Sequence, residues 1–393
     1  MVAVLFVFTA LLAVLIAAIL RMYFNQLVPE GLPVDQHHKL RIVGLITKLT
    51  GMVAYLASLL GIGSVINNIR QIQSALSRLQ NLSEDPSLQV KDFKIAHVPV
   101  RLYRPKQNIV DGTKQKCVVF FHGGGWMFLS IDFYHSLTQY MAANAGVVVV
   151  SVGYRLAPEN PFPAGFDDCV EVVKSLLDTG DEYGIDTNRI LLAGSSAGGN
   201  LAAAVTHHLH NENRKLAGQI LISPLLQFMD LTLPSYQKNS SAVLSKIEVA
   251  LAWSFYITGT KRMSRPIGAK KHSAHLCNTK YSKFIGVCDA DVDKVQKEPP
   301  KDIPQGIVDA LTDYRTSPLI ADNMTGLPKT LIITAEFDVL RDDGLLYKKR
   351  LEEAGVPVTH HEYKSFHGFL QLRSDKKICA AAKENIIKFL KEL

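Results

Sequence analysis

The sequence predicts an α/β fold, a mostly parallel sheet covered by helices on both faces, and two observations carry that prediction. From about residue 90 onward, short unbroken runs of Val, Ile and Leu alternate with amphipathic helical patterns, as expected for strands buried on both faces and joined by crossover helices. One such run, Ile190-Leu191-Leu192-Ala193, passes directly into Gly194-Ser195-Ser196-Ala197-Gly198-Gly199-Asn200 and then into Leu201-Ala202-Ala203-Ala204-Val205. A strand, a tight small-residue turn and a helix are therefore expected in series.

Residues 2–20 form a 19-residue run without a charge, long enough to cross a bilayer as a helix. No charged segment precedes it and Arg21-Met22-Tyr23 is a poor cleavage site, so a retained transmembrane signal anchor over 1–21 is expected. Residues 22–90 read as a helical, apolar segment that contributes to a cap or to membrane contact. Within it Leu49–Ile66 is uncharged over 18 residues and suits a second span, an interfacial helix or an apolar lid. Arg21, Lys39 and Arg41 pull the downstream chain towards the cytosol if only the first run spans. Three glycosylation sequons, at Asn81, Asn239 and Asn323, favour the lumen instead.

From there to residue 393 extended stretches are expected at 94–103, 117–121, 147–152, 190–193, 219–222, 330–334 and 358–363. Helices are expected at about 133–144, 166–178, 197–210, 342–354 and 377–392. The alternation lapses at about 227–315, which holds Trp253, Phe255 and Tyr256 and a Lys-rich section from 261 to 303. This tract is expected to be a cap insertion in the 91–393 domain, with a disordered surface insertion as the alternative for 264–300.

Composition excludes several classes of function. Hydrophobic residues make up 47% and charged residues 20%, which supports a large core and argues against disorder. The net charge of +7 is scattered and not striped with aromatics, so nucleic acid is not expected as a partner. The five cysteines, Cys117, Cys169, Cys277, Cys288 and Cys379, show neither zinc-binding nor redox spacing. Neither a metal nor a cofactor is expected.

The small-residue turn carries Gly-x-Ser-x-Gly. Between a strand and a helix this spelling places Ser196 on a strained elbow with its Oγ exposed above the sheet, flanked by Gly194 and Gly198 where only small residues let backbones pass. A plain Gly/Ser loop is the competing reading, and a second motif decides against it. His122-Gly123-Gly124-Gly125-Trp126 directly follows the strand at 117–121, and consecutive glycines leave N–H groups free to approach a developing oxyanion. Gly123, Gly124 and Ala197 are the expected donors, and His122 is expected to orient the glycine loop without transferring protons. Downstream, the strand 330–334 leads to Asp338 and the strand 358–363 leads to His367-Gly368, giving acid and base in the chain order that an α/β-hydrolase requires. Asp342 and Asp343 read as first-turn residues of the next helix. His37, His38, His207, His208, His360 and His361 have no comparable placement.

These residues resemble a family. His122-Gly-Gly-Gly125, Tyr154-Arg155-Leu156-Ala157-Pro158-Glu159, Pro161-Phe162-Pro163-Ala164, Asp167-Asp168, Gly194 to Gly199, Ser317-Pro318-Leu319-Ile320, Asp338 to Asp343 and His367-Gly368 are similar, in order, to the motifs of the hormone-sensitive-lipase family of α/β-hydrolases. The N-terminal anchor and Asp-Val-Leu-Arg-Asp-Asp-Gly resemble its arylacetamide deacetylase and neutral cholesterol ester hydrolase group. The resemblance implies an α/β-hydrolase fold and a membrane-anchored serine hydrolase that cleaves carboxylic esters, lipid or small acyl. It also implies a single-pass type II protein of the endoplasmic reticulum membrane with a lumenal catalytic domain. One departure stands out: the family usually places Asp before the nucleophile, and this chain has Ser195. The rival readings are a catalytically weak or inactive binding protein on the same scaffold, and an amidase or peptidase using the same triad.

Overall fold

Eight strands form one sheet in the computed structural model, which describes residues 2–80, 85–107, 113–268 and 305–393. They are β1 (Leu88–Ile95), β2 (Val98–Pro105), β3 (Gln115–Phe121), β4 (Val148–Val152), β5 (Ile185–Ser195), β6 (Gly218–Ile222), β7 (Thr330–Phe337) and β8 (Val358–Phe366). Their spatial order is β1-β2-β4-β3-β5-β6-β7-β8. Strand β2 runs antiparallel to β1 and β4, and every pair from β4 across to β8 is parallel.

The unbroken apolar runs are explained by coverage on both faces. Cys117, Val119 and Phe121 belong to one core and Val118 and Phe120 to the other, because successive side chains of a strand point to opposite faces. The described helices are α1 (Val2–Phe24), α2 (Val34–Leu59), α3 (Val65–Gln80), α4 (Ile131–Ala145), α5 (Ala164–Thr179), α6 (Ala197–Asn211), α7 (Pro234–Lys238), α8 (Lys246–Thr258), α9 (Ser264–Gly268), α10 (Gln305–Leu311), α11 (Arg341–Glu353), α12 (Phe369–Leu372) and α13 (Lys376–Glu392). Buried residues of α5, α6 and α11 fill the first core, and those of α4 and α13 fill the second.

The expected extended stretch at 94–103 is two strands. Ile95 pairs with Val98 across a two-residue turn, and Ala96 and His97 both adopt positive φ, 48° and 70°. Asn-Gly or Asp-Gly ordinarily signals such a turn, and Ala-His carries no such signal. The first strand also starts at Leu88, ahead of the expected domain start at 91.

At the N-terminus, α1 is a continuous helix of 23 residues, about 34 Å long at 1.5 Å per residue. Helix α2 is also long and apolar enough to cross a membrane by length and composition. Its first half is nevertheless committed to the domain, with Gln36, Leu40 and Gly44 buried. The 49–66 run is not one span. It holds the end of α2, a turn with left-handed Gly61 and Gly63, and the start of α3, and Asn68 Nδ2 ties the turn by donating to Ala54 O and Ile62 O. Met52, Val53, Leu56, Leu59 and Leu60 remain exposed.

Helices α7 to α10 occupy the connection between β6 and β7. Helix α8 starts with a reciprocal capping box between Ser245 and Glu248 and ends at left-handed Gly259. It packs Trp253 against Phe228, with ring centroids 4.6 Å apart, and Tyr256 against Trp126 of the glycine-run segment, 4.3 Å apart. Most of the Lys-rich section, with Cys277 and Cys288, lies outside the described residues.

Candidate active site

Strand β5 ends at Ser195, α6 begins at Ala197, and the residue between them, Ser196, is held at φ 56°, ψ −121°. A non-glycine residue there costs about 1–3 kcal/mol unless its surroundings over-determine it. Here Ser196 N donates to Ile222 O at 2.9 Å, and its carbonyl accepts from Asn200 N at 3.1 Å. The small residues follow from contact: a Cβ on Gly194 would run into Gly198 O, and one on Gly198 into Phe121 O.

Three expected side chains meet at this elbow. His367 Nε2 lies 3.1 Å from Ser196 Oγ, and His367 Nδ1 lies 2.7 Å from Asp338 Oδ2. The other carboxylate oxygen, Asp338 Oδ1, accepts from Leu340 N at 2.9 Å, and Asp338 is only 1% exposed. A buried carboxylate held on both oxygens fixes the imidazole's orientation, which suits a base directed at a hydroxyl.

The glycine loop presses on the same point. A Cβ on Gly123 would lie 2.5 Å from Tyr134 Oη, 2.7 Å from Ser195 O and 3.2 Å from Ser196 Cβ. Gly124 is left-handed, at φ 114°, with Phe128 O where a side chain would go, and Gly125 has φ 60°. Ala197 is the first residue of α6, so its N–H has no helical carbonyl one turn back. His122 is buried, which pushes its pKa down to about 4. Its ring stacks on Tyr154 at 4.4 Å, its Nδ1 lies 2.8 Å from Gly123 O, and the Tyr154 hydroxyl donates to His122 O at 2.7 Å. The neutral imidazole donates the N–H of Nδ1 to Gly123 O and is packed against Tyr154, which suits an orienting role in this loop.

Ser195 Oγ accepts from Gln371 Nε2 at 3.3 Å. Burial pushes the phenol of nearby Tyr134 up to about 12, which keeps it neutral. The residue that departs from the family spelling thus has a neutral amide partner behind the elbow.

Some residues around the site carried no decisive sequence signal. Asp342 accepts from Ser235 N at 2.8 Å near the start of α11, as a first-turn carboxylate can. Asp343 is a first-turn residue of the same helix, as expected, but it is also fully buried and accepts from Leu226 N at 2.9 Å, Gln227 Nε2 at 3.1 Å and the Tyr236 hydroxyl at 3.2 Å. Burial pushes its pKa up to about 7. From the first turn of α11 it ties down the start of the β6–β7 connection.

Asn239, a glycosylation candidate, has its side-chain amide engaged. Its Nδ2, the atom a glycan would take, donates to Glu336 O at 2.9 Å and Asp338 O at 3.2 Å. A glycan there leaves at most one hydrogen for two carbonyls. Asn323 is exposed, and Asn81 lies outside the described residues. Cys117, Cys169 and Cys379 are free and buried. Among the described residues no group of three or more His, Cys, Asp or Glu side chains could hold a metal ion.

Bovine (Bos taurus) arylacetamide deacetylase is 34% identical over 378 residues, 90% of this chain and 92% of its own. Human (Homo sapiens) arylacetamide deacetylase-like 4 is 31% identical over 90% of this chain and 89% of its own. A hyperthermophilic esterase from the archaeon Pyrobaculum calidifontis superposes with a TM-score of 0.63 at 26% identity, covering 87% of this chain and 97% of that one. Fold and relatives together set the class, a serine carboxylic ester hydrolase. The chain belongs to the alpha/beta hydrolase fold family, whose model matches residues 118–294 and 305–371.

Proposed function

We propose that this protein cleaves carboxylic esters through a covalent acyl-enzyme, with Ser196 as nucleophile, His367 as general base and Asp338 as the acid that holds the imidazole. The observation that carries the reading is the unbroken hydrogen-bonded series from Asp338 Oδ2 through His367 to Ser196 Oγ. As Ser196 Oγ bonds to the ester carbon, its proton passes to His367 Nε2, and the carbonyl electrons move onto oxygen beside the Gly123, Gly124 and Ala197 amides. Collapse breaks the bond to the alcohol, which takes the proton from His367. Water, deprotonated by the same imidazole, then releases the carboxylic acid and restores Ser196.

The names of the relatives favour a small acyl group, on an ester or an aryl amide, as the substrate. An amidase reading therefore stands beside the esterase reading, and the same triad serves both. Helices α2 and α3 and the described helices α7 to α10 form the surroundings of the substrate in this reading. Helix α1 anchors the chain in the endoplasmic reticulum membrane, and the exposed apolar end of α2 rests on the lipid. The catalytic domain lies in the lumen as a single-pass type II arrangement, supported by the exposed Asn323 sequon.

Fluorophosphonate labelling separates an enzyme from an inactive binding scaffold. The full-length protein in detergent is expected to take the probe and to hydrolyse p-nitrophenyl acetate, and Ser196→Ala to do neither while remaining folded. Labelling that survives Ser196→Ala would reject the nucleophile.

A further inference from the structure

The end of β8, which leads directly to the base, is gripped by a residue from outside the sheet. Gln36, on α2, is 1% exposed; its Nε2 donates to Lys364 O at 2.7 Å, and its Oε1 accepts from Ser365 Oγ at 2.6 Å. Ser365 Oγ also lies 2.8 Å from Ser374 Oγ. Since the Ser365 proton is used on Gln36, Ser374 must be the donor of that last bond. Lys364 and Ser365 are the third and second residues before His367. Around this clamp, Leu32 and Leu40 pack against Phe337 and Phe366, the residues immediately before Asp338 and His367. The other helix of the hairpin holds the glycine-loop side: Arg70 donates from Nε to Met127 O at 2.6 Å, from Nη2 to Ala157 O at 2.5 Å and from Nη1 to Glu159 Oε2 at 2.9 Å.

We propose that Gln36 is a positioning residue for the catalytic base, and that the α2–α3 hairpin supports both the His367 loop and the glycine loop in addition to lying beside the membrane anchor. This rests on the triad reading above. An amide is suited to the task because one side chain supplies a donor and an acceptor in a fixed plane, pinning a carbonyl and the next residue's hydroxyl together. Polar pairing is needed at a buried site, where an unmatched group is costly. The grip is applied to the base side only, so its loss should slow chemistry more than it weakens substrate binding.

The test uses the full-length protein in detergent with p-nitrophenyl acetate. Gln36→Met keeps the side chain's length and removes both bonds; kcat is expected to fall about tenfold or more, since a displacement of the base by about 1 Å is enough for a loss of up to about 10²-fold. KM is expected to stay within about twofold, because the substitution acts on the transition state. Placed in a His367→Ala background, the same substitution should cause no further loss in the residual turnover, since the group it acts through is gone. An equal proportional loss in both backgrounds, or an unchanged kcat, would overturn the proposal.

Ser365→Ala removes one of the two bonds and should lower kcat in the same direction by a smaller factor. If Gln36→Met fails to fold, Ser365→Ala decides: a loss that vanishes with His367→Ala supports the proposal, and wild-type kcat rejects it. A triad that is itself wrong shows up separately, as turnover retained in Ser196→Ala.

Discussion

Phe337 and Phe366 stand opposite each other in register across β7 and β8, and the residues that follow them are Asp338 and His367. Adjacent strands lie about 4.8 Å apart, so two parallel strands that end together deliver Asp338 and His367 to one edge of the sheet. The ladder slips between Ala335 and Phe337. Without that slip Phe337 would face Ser365, and the base would stand one position further from the acid. An irregularity of this kind re-aims a side chain at the cost of one unpaired residue.

Asp338→Asn should lower kcat for p-nitrophenyl esters by about 10³–10⁴-fold, because an amide holds the imidazole in the wrong tautomer while geometry is kept. Asp342→Asn should cost far less, since Asp342 bonds Ser235 N and touches neither Ser196 nor His367. Steady-state kinetics of the two variants rank them, and the reverse ranking would make Asp342 the acid.

Gly123→Ala places a methyl 2.5 Å from Tyr134 Oη and 2.7 Å from Ser195 O, which must push the glycine loop off the elbow. Turnover should drop by about 10²–10³-fold, as for the loss of one oxyanion donor. Gly51→Ala, where the added carbon meets nothing within 4 Å, should leave kcat unchanged. Comparable losses in both would show that the crowding at Gly123 is not the cause.

Asp343 makes a signed prediction about stability. Its carboxyl titrates at an ordinary value of 3.8 when unfolded and at about 7 in the folded protein, raised chiefly by burial. Between those values the folded state binds more protons, so this residue's contribution to stability declines as pH rises through that window. Asp343→Asn removes the titration. Its Tm should decline less than the wild type's between about pH 4 and pH 7, as followed by thermal melts at several pH values; parallel curves would reject the assignment.

Expressed in a membrane system, the protein should lose apparent mass on endoglycosidase treatment. Asn323→Gln together with Asn81→Gln should remove the shift, and Asn239→Gln should leave it in place while lowering kcat, because the Asn239 amide holds Asp338 O and Glu336 O. Protease access to residues beyond 90 in sealed microsomes, with no glycan found, would place the domain in the cytosol.

The sequence by itself determined the α/β class, the elbow and the candidates for acid and base, because those features are written in short local spellings. Unbroken apolar runs need two covered faces, Gly194 and Gly198 need positions where no Cβ fits, and Asp338 and His367 each follow a recognisable strand. Tertiary structure alone decided the rest. The Ala96-His97 turn has no distinctive residues, so two antiparallel strands read as one. Asp342 and Asp343 are neighbours of identical type in the first turn of α11, and only the path of the chain from Leu226 to Tyr236 fully buries the second. Asn239 spells a sequon, yet its amide is taken up by carbonyls almost a hundred residues away. Gln36 lies in a segment that reads as membrane-proximal, and its partners are more than 300 residues distant. A buried hydrogen bond between positions so far apart leaves no periodicity or motif in the chain, because its energy depends on where two remote backbones come to rest.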